Sequence, residues 1–501
     1  HSSTAVVAGG YSNMVTNDGS GSFIGGGHLN IAESWLGVVS GGYSNTNSGY
    51  VGAVCGGRNN TLVSDAGVIG GGASNTASSK YGVISGGFSN SNSGVASSIG
   101  GGWRNNASAA SAVIAGGEAN AVSPVGSHSA VGGGYGNRAS GVCGVVAGGN
   151  SNSASGFSSV VAGGLHNTIA SSYAVIGGGE SNNITSNSGE SFIGGGQRNT
   201  ADSRFSVVAG GYSGYGGGYA SAIGGGGNNE ALSPFAVVGG GYTNVISGDS
   251  YTSCIGGGYT NSVQSADSAV IAGGRSNTAA VDFAVVGGGF NNVGTGYGSA
   301  VGGGVNNNAE TTYAVIAGGR SNAVDDYVGT VGGGAFNTVS AKYGVIAGGY
   351  FNSNSGLAIS IGGGWRNNAS ASYAVIAGGE SNVVTAFGGH SAIGGGCNNS
   401  GAGYGITIGG GVNNDAASPL GVVAGGRSNS AHGYASSIAG GWNNIVNSSF
   451  SVIAGGTSNI NDGYASTIGG GHGNSAALHY TTVAGGNFNS ARGYGGTIGG
   501  G

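Results

Sequence analysis

The sequence predicts an all-β chain, a parallel β-solenoid wound as a narrow two-sheet β-roll of about 33 coils of 15 residues. Three observations lead there. A phrase of Val or Ile, a small residue, Gly-Gly, two variable residues and Asn recurs from one end of the chain to the other; Ile346-Ala347-Gly348-Gly349-Tyr350-Phe351-Asn352 is one copy. Of the 31 intervals between successive anchor positions, 25 are 15 residues, five are 17 and one is 16, which marks a structural unit and not compositional drift. The 121 glycines and 3 prolines would suit a disordered segment if they had no period, and no helix could carry that glycine density.

Each coil is numbered here from its anchor Asn as position 0. Position −6 is Val or Ile in every copy, as at Ile84, Ile99, Ile114, Ile316, Ile346, Ile376 and Ile468. A looser apolar column lies at +2, as at Ala77, Ile169, Ile184, Val263, Val339 and Val446. Both columns point inward if a first strand runs through −6, Gly-Gly makes a corner, and a second strand starts at the anchor, because strands alternate faces with period two. Fifteen residues allow two short strands and two corners. Gly at the corner supplies positive φ and close backbone approach. The anchor amides, among them Asn75, Asn90, Asn105, Asn120, Asn322, Asn337, Asn352, Asn367 and Asn382, are expected to stack as a structural ladder along the axis; Gly214 replaces one of them. At about 4.8 Å per coil the stack would reach on the order of 150 Å.

Two coil types roughly alternate, Tyr-Ala-Val-Ile-Ala-Gly-Gly (373–379) and Gly-Tyr-Ala-Ser-Ser-Ile-Ala-Gly-Gly (433–441). All five 17-residue intervals precede a coil of the second type, so the extra residues are expected to bulge at one shared corner. Residues 80–120 return as 342–382 with 33 of 41 identical, a sign of internal duplication. No linker or composition shift interrupts residues 1–501, which are read as one continuous repeat region belonging to a longer fibre protein.

Composition excludes several functions. With 6% charged residues and a net charge of −5, nothing favours nucleic acid, which needs clustered Lys and Arg. No apolar run approaches the roughly 18–20 residues that cross a bilayer, so no membrane contact is expected in this region. Cys55, Cys143, Cys254 and Cys397 occupy four different repeat positions many coils apart; they are expected to be unpaired, buried small residues without metal-ligand spacing. Asp325-Asp326 is the one adjacent acidic pair, and the eight His form no set with Asp or Glu. Neither acid pairs nor nucleophile–base groupings are visible, so no enzyme activity, catalytic residue, cofactor or metal is expected. Isolated charges such as Lys80, Asp202, Glu230 and Asp325 read as a solvated surface. Sequon matches at Asn106, Asn183 and Asn368 are chance-level in so Asn- and Ser-rich a chain.

Position −2 is the least uniform in the repeat and holds three of the four Trp. Tyr43, Arg58, Trp103, Tyr135, Tyr242, Tyr259, Arg275, Arg320, Tyr350, Trp365, Arg427 and Trp442 make it the candidate surface-binding column, since Tyr, Trp and Arg dominate binding hot spots. The competing reading is corner packing or contact with a neighbouring chain. A second aromatic column at −9 or −10 (Tyr81, Tyr173, Tyr313, Tyr343, Tyr373, Tyr434, Tyr464) is expected to cap the opposite corner. Because Val113, Val315, Val345 and Val375 directly precede inward Ile, they should face out, and an outward apolar column asks for a partner. A homo-oligomer follows, most simply a parallel trimer.

Ser221-Ala222-Ile223-Gly224, Ser391-Ala392-Ile393-Gly394, Ser98-Ile99-Gly100 and corners such as Ala139-Ser140-Gly141 resemble the YadA-like head repeats of trimeric autotransporter adhesins. The repeats here add a Gly-Gly and a fixed Asn. The resemblance implies a left-handed parallel β-roll, three chains side by side on a bacterial surface, and attachment to host matrix or cells. The resulting expectation is an extracellular fibrous structural or adhesion protein at a cell or virion surface, with a glycan or host-surface receptor as ligand. The alternative is a purely structural filament or a virus or phage tail-fibre shaft with no ligand of its own.

Overall fold

The structure, a computed structural model, describes residues 4–16 and 18–501, and within them all regular structure is β. The chain divides into two compact units, His1–Ser247 and Gly248–Gly501, and each is a parallel β-solenoid. In the first unit, 16 short strands build one sheet and 16 the other; in the second, the numbers are 17 and 16. Every coil has a two-residue strand at −7/−6, such as Val345–Ile346, and another beginning at +1, such as Ser353–Asn354. Each pairs in parallel with its equivalent one coil on: Val345 with Ser360, Ile346 with Ile361, Ser353 with Asn368. The second strand therefore begins one residue later than the pattern suggests, because the anchor's side chain turns into the corner.

Pleating sorts the side chains as period two requires. Ile346, Ile361 and Ile376 at −6 and Val339, Ala369 and Val384 at +2 are fully buried, while −7 and +1 face outward. A third inward column at −8 holds only small or medium residues, such as Ser97, Ala112, Ser129, Ala374 and Ile406. In a few coils the +2 position carries a buried Asn instead of an aliphatic. Asn47 keeps its amide satisfied by donating to the carbonyls of Val38 (3.1 Å) and Gly52 (2.7 Å).

The expectation of two strands and two corners omitted a third line of backbone pairing. Position −2 forms a one-residue parallel bridge with the next coil, running Tyr11, His28, Tyr43, Arg58 and on through Trp365, Glu380 and Cys397. Two further positions hold non-glycine residues in the left-handed region: −1, as at Arg104 (φ 56) and Phe351 (φ 57), and −9, as at Val51 (φ 55) and Tyr373 (φ 62). Such values are outliers for bulky or β-branched residues. Hydrogen bonding accounts for them. Strand N–H groups donate forward, as Val345 does to Ile359 at 2.8 Å; the left-handed residues donate backward, as Arg366 does to Tyr350 at 2.9 Å and Tyr373 to Leu357 at 2.8 Å. Reversing the peptide at two points per coil ties each coil to both neighbours and leaves fewer buried backbone groups unmatched.

The 17-residue intervals bulge, as expected, at one corner, between the second strand and the next first strand. Two of them lift an apolar side chain into solvent, Val125 (70% exposed) and Phe387 (84% exposed), at matching places in the duplicated blocks. The cysteine reading needs correction. The four are unpaired, but Cys55 and Cys143 are exposed and Cys254 and Cys397 only half-buried, because they fall at −5, −9, −7 and −2, all outward or corner positions. Charges are also less isolated than they look in sequence, since stacking makes neighbours of residues about one coil apart. Lys80 lies 3.5 Å from Asp65, Arg204 2.8 Å from Glu190 and His432 2.9 Å from Asp415.

Candidate binding surface

The anchor column is wholly structural. Asn367 donates through Nδ2 to the carbonyl of Gly363 (2.8 Å) in its own coil and of Gly379 (3.0 Å) in the next, while its Oδ1 receives the backbone N–H of Asn382 (3.0 Å). The same three bonds recur at Asn75, Asn90, Asn105, Asn120, Asn322, Asn337 and Asn352, all fully buried. Asn382 closes the set with Gly378, Gly396 and Asn399. The ladder is thus chiefly side chain to backbone; direct amide–amide bonds such as Asn352 to Asn337 (3.1 Å) only supplement it. The second Gly of each pair makes room. Gly349 has φ +96, and a Cβ on it would lie 2.2 Å from the carbonyl oxygen of Gly364.

Two residues beyond that glycine, the chain turns its −2 side chain out. All twelve predicted surface residues are exposed: Tyr43, Arg58, Trp103, Tyr135, Tyr242, Tyr259, Arg275, Arg320, Tyr350, Trp365, Arg427 and Trp442. Where they fall on successive coils, the backbone bridge places them side by side, about 4.8 Å apart along the axis. Their rings meet edge to face, as Tyr11–His28–Tyr43 (5.0 and 5.1 Å between centroids) and Phe88–Trp103 (5.9 Å). Arginines lie over the rings: Arg275 between Tyr259 (5.4 Å) and Phe290 (5.6 Å), Arg104 on Trp103 (5.3 Å) and Arg366 on Trp365 (5.1 Å). Each such cation–π pair contributes about 0.5–1 kcal/mol at an exposed site and, more to the point, holds the guanidinium in place. Arg104 and Arg366 sit at −1, which sequence reasoning passed over. Their left-handed backbone folds them back across the preceding Trp, an orientation with no signature in residue type.

The other aromatic column does occupy the opposite corner, and its rings are half-exposed. It is continuous because the two coil types set the ring alternately at −9 and −10. Phe283, Tyr297, Tyr313, Tyr327 and Tyr343 form one edge-to-face run at 5.4–6.2 Å, and Tyr434, Phe450, Tyr464, Tyr480 and Tyr494 another at 5.4–5.8 Å.

The outer face of the first sheet is of a different kind. Positions −7 and −5 carry no Lys, Arg, Asp or Glu in any coil, only Val, Ala, Thr, Ser, Phe and Cys at −7 and Ala, Gly, Ser and Cys at −5. Val113 (46% exposed), Val345 (40%) and Val375 (44%) stand out from it.

On the second sheet, one polar chain crosses three coils. Thr185 donates to Asp202 (2.5 Å), and the Tyr215 hydroxyl donates to the other oxygen of the same carboxylate. These bonds hold Asp202 below the usual carboxylate range and push Tyr215 up to about 12. Burial, with the charge of Glu310 nearby, raises Asp325. Among the described residues, no group of three or more His, Cys, Asp or Glu is placed to hold a metal, and no helix is long and apolar enough to cross a membrane. No protein-family model matches the chain, and no curated protein matches it as a relative.

Proposed function

We propose that this chain is an extracellular attachment scaffold: a β-solenoid whose −2 column presents a repeating row of Tyr, Trp and Arg to a glycan or host-surface receptor at a cell or virion surface. One observation carries the reading. Each coil turns a single variable side chain outward at −2 while the surrounding backbone stays constant, so one rigid frame displays a surface that can change without disturbing the core. Large aromatic and Arg side chains held at fixed spacing lose little entropy on contact. The experiment is retention of the purified chain on glycan arrays, matrix proteins and intact cells. A variant carrying Tyr43→Ala, Tyr135→Ala, Tyr242→Ala and Tyr259→Ala should lose retention by about tenfold or more. Equal retention of the two proteins, or none by the parent, would end this reading.

A second reading, a structural filament that owes its role to self-association, is favoured by the charge-free first-sheet face. In the first unit alone, 16 strands at about 4.8 Å spacing give a strip about 75 Å by 10 Å. That approaches the roughly 800 Å² per partner of a stable interface. Small residues at −5 let two such faces approach closely. We infer a side-by-side homo-oligomer with these faces inward, a parallel trimer in its simplest form. Light scattering should return the mass of three chains, and Val315→Lys, Val345→Lys and Val375→Lys together should return that of one.

A further inference from the structure

We propose that Trp103 and Trp365 are the centres of two equivalent sites for a neutral saccharide, built by the duplicated blocks; this rests on the attachment reading and gives its ligand a chemical class. The same constellation occurs twice. An aromatic ring at −2 (Phe88, Tyr350) is bridged to a Trp at −2 of the next coil, and that Trp to a Glu at −2 of the coil after (Glu118, Glu380). In both, an Arg at −1 is laid over the Trp, Arg104 at 5.3 Å and Arg366 at 5.1 Å. Besides these two, no other coil puts Trp-Arg ahead of the anchor or follows a −2 Trp with a −2 Glu.

The first site is concave. Phe88 and Trp103 stand nearly perpendicular (88°), and the coil glycines Gly87 and Gly102 between them leave an apolar recess of about 470 Å³, the space of one or two sugar rings. Aromatic rings with the corner glycines beneath them offer a floor for the C–H face of a pyranose. Around the rim, the guanidinium can only donate hydrogen bonds and the carboxylate can only accept them. A sugar hydroxyl does both, so a polyol satisfies the two groups together. The opposite charges argue against an ionic ligand. Glu118 lies one coil from Trp103, so a sugar acid or sulfate drawn to Arg104 would meet a carboxylate about 5 Å along the axis. Arg104 is exposed and pinned by the indole, and Glu118 is half-buried, so both are ordered before any ligand arrives.

The test is titration of the full chain with neutral oligosaccharides of glucose, N-acetylglucosamine and mannose, read by tryptophan fluorescence and calorimetry, with oligogalacturonate and a sulfated oligosaccharide as charged arms. Two equivalent sites per chain should saturate with at least one neutral series. Trp103→Ala or Trp365→Ala should leave one site, and the two together none, while Trp442→Ala leaves both. Glu118→Gln with Glu380→Gln should keep neutral binding within about threefold, since the amide still accepts a hydrogen bond. Binding by the charged arms alone, strengthened by Glu→Gln, would overturn the proposal, as would neutral binding that survives loss of both Trp. Circular dichroism of the double Trp variant guards against unfolding, and Trp103→Phe with Trp365→Phe, which keeps a ring at each position, should retain weakened binding. If the chain holds to cells or matrix but the paired Trp variant holds equally well, the saccharide sites fail while the attachment reading stands.

Discussion

At the scale of single residues, the anchor amide and the glycine three before it are coupled, since the amide bridges the space that the missing Cβ leaves. Asn367→Ala removes three buried hydrogen bonds and orphans their backbone partners, at a cost of about 3–5 kcal/mol. Asn368→Ala, on the exposed face next door, should stay within about 0.5 kcal/mol. Hydrogen exchange at the Asn382 amide measures both, because solenoid stability is a sum over neighbouring coils. The two glycines of one pair should behave oppositely. Gly349→Ala would drive a methyl group against a carbonyl 2.2 Å away in a left-handed backbone, whereas nothing lies within 4 Å of a Cβ on Gly348, and Gly348→Ala should fold normally. Gly214 interrupts the ladder. Its N–H accepts the usual place on Asn199 Oδ1 at 2.8 Å, but it offers Asn229 no amide in return. Gly214→Asn should therefore stabilise its coils by about 1 kcal/mol in the same exchange measurement.

At the scale of the coil, the period and the facing of its columns were legible because they are written in residue type. Ile346 and Val339 are aliphatic where the pleat points in, and Asn352 recurs where only a short amide reaches both neighbouring coils. The −2 bridge was not legible, since a one-residue rung has no alternation to betray it. Nor were the left-handed residues: Phe351, Arg366, Val51 and Tyr373 are types that ordinarily avoid positive φ, and hydrogen bonds to the preceding coil hold them there. The binding column was found from its variability and its aromatic content, but Arg104 and Arg366 were missed because a folded-back side chain depends on that hidden conformation. The Thr185–Asp202–Tyr215 chain belongs to this scale too. Asp202 is held low, so its contribution is complete above the ordinary carboxylate range and is lost as pH falls through its folded value. Tyr215 is raised to about 12, so its contribution is complete below the ordinary phenol pKa of about 10 and fades as pH climbs toward its folded value. Exchange protection of residues 200–216 should fall at both extremes, and Tyr215→Phe should abolish the alkaline loss alone.

At the scale of the whole chain, the three surfaces divide the work: one row of variable side chains for contact outward, one charge-free sheet face for like chains, and one corner of interleaved rings. Substitutions on the first should alter retention and leave mass unchanged; those on the second should alter mass first. Backbone bonding has a consequence for how such a chain is made. Residues bonded between coils lie some 14–17 positions apart in a chain of 501, a relative contact order of about 0.03, below even helical bundles. All-β proteins usually wait for distant segments to meet, but here every partner has been synthesised about one coil earlier. The chain can wind up behind the ribosome as it emerges, and a nascent chain arrested after any completed coil should already resist protease up to its last turn.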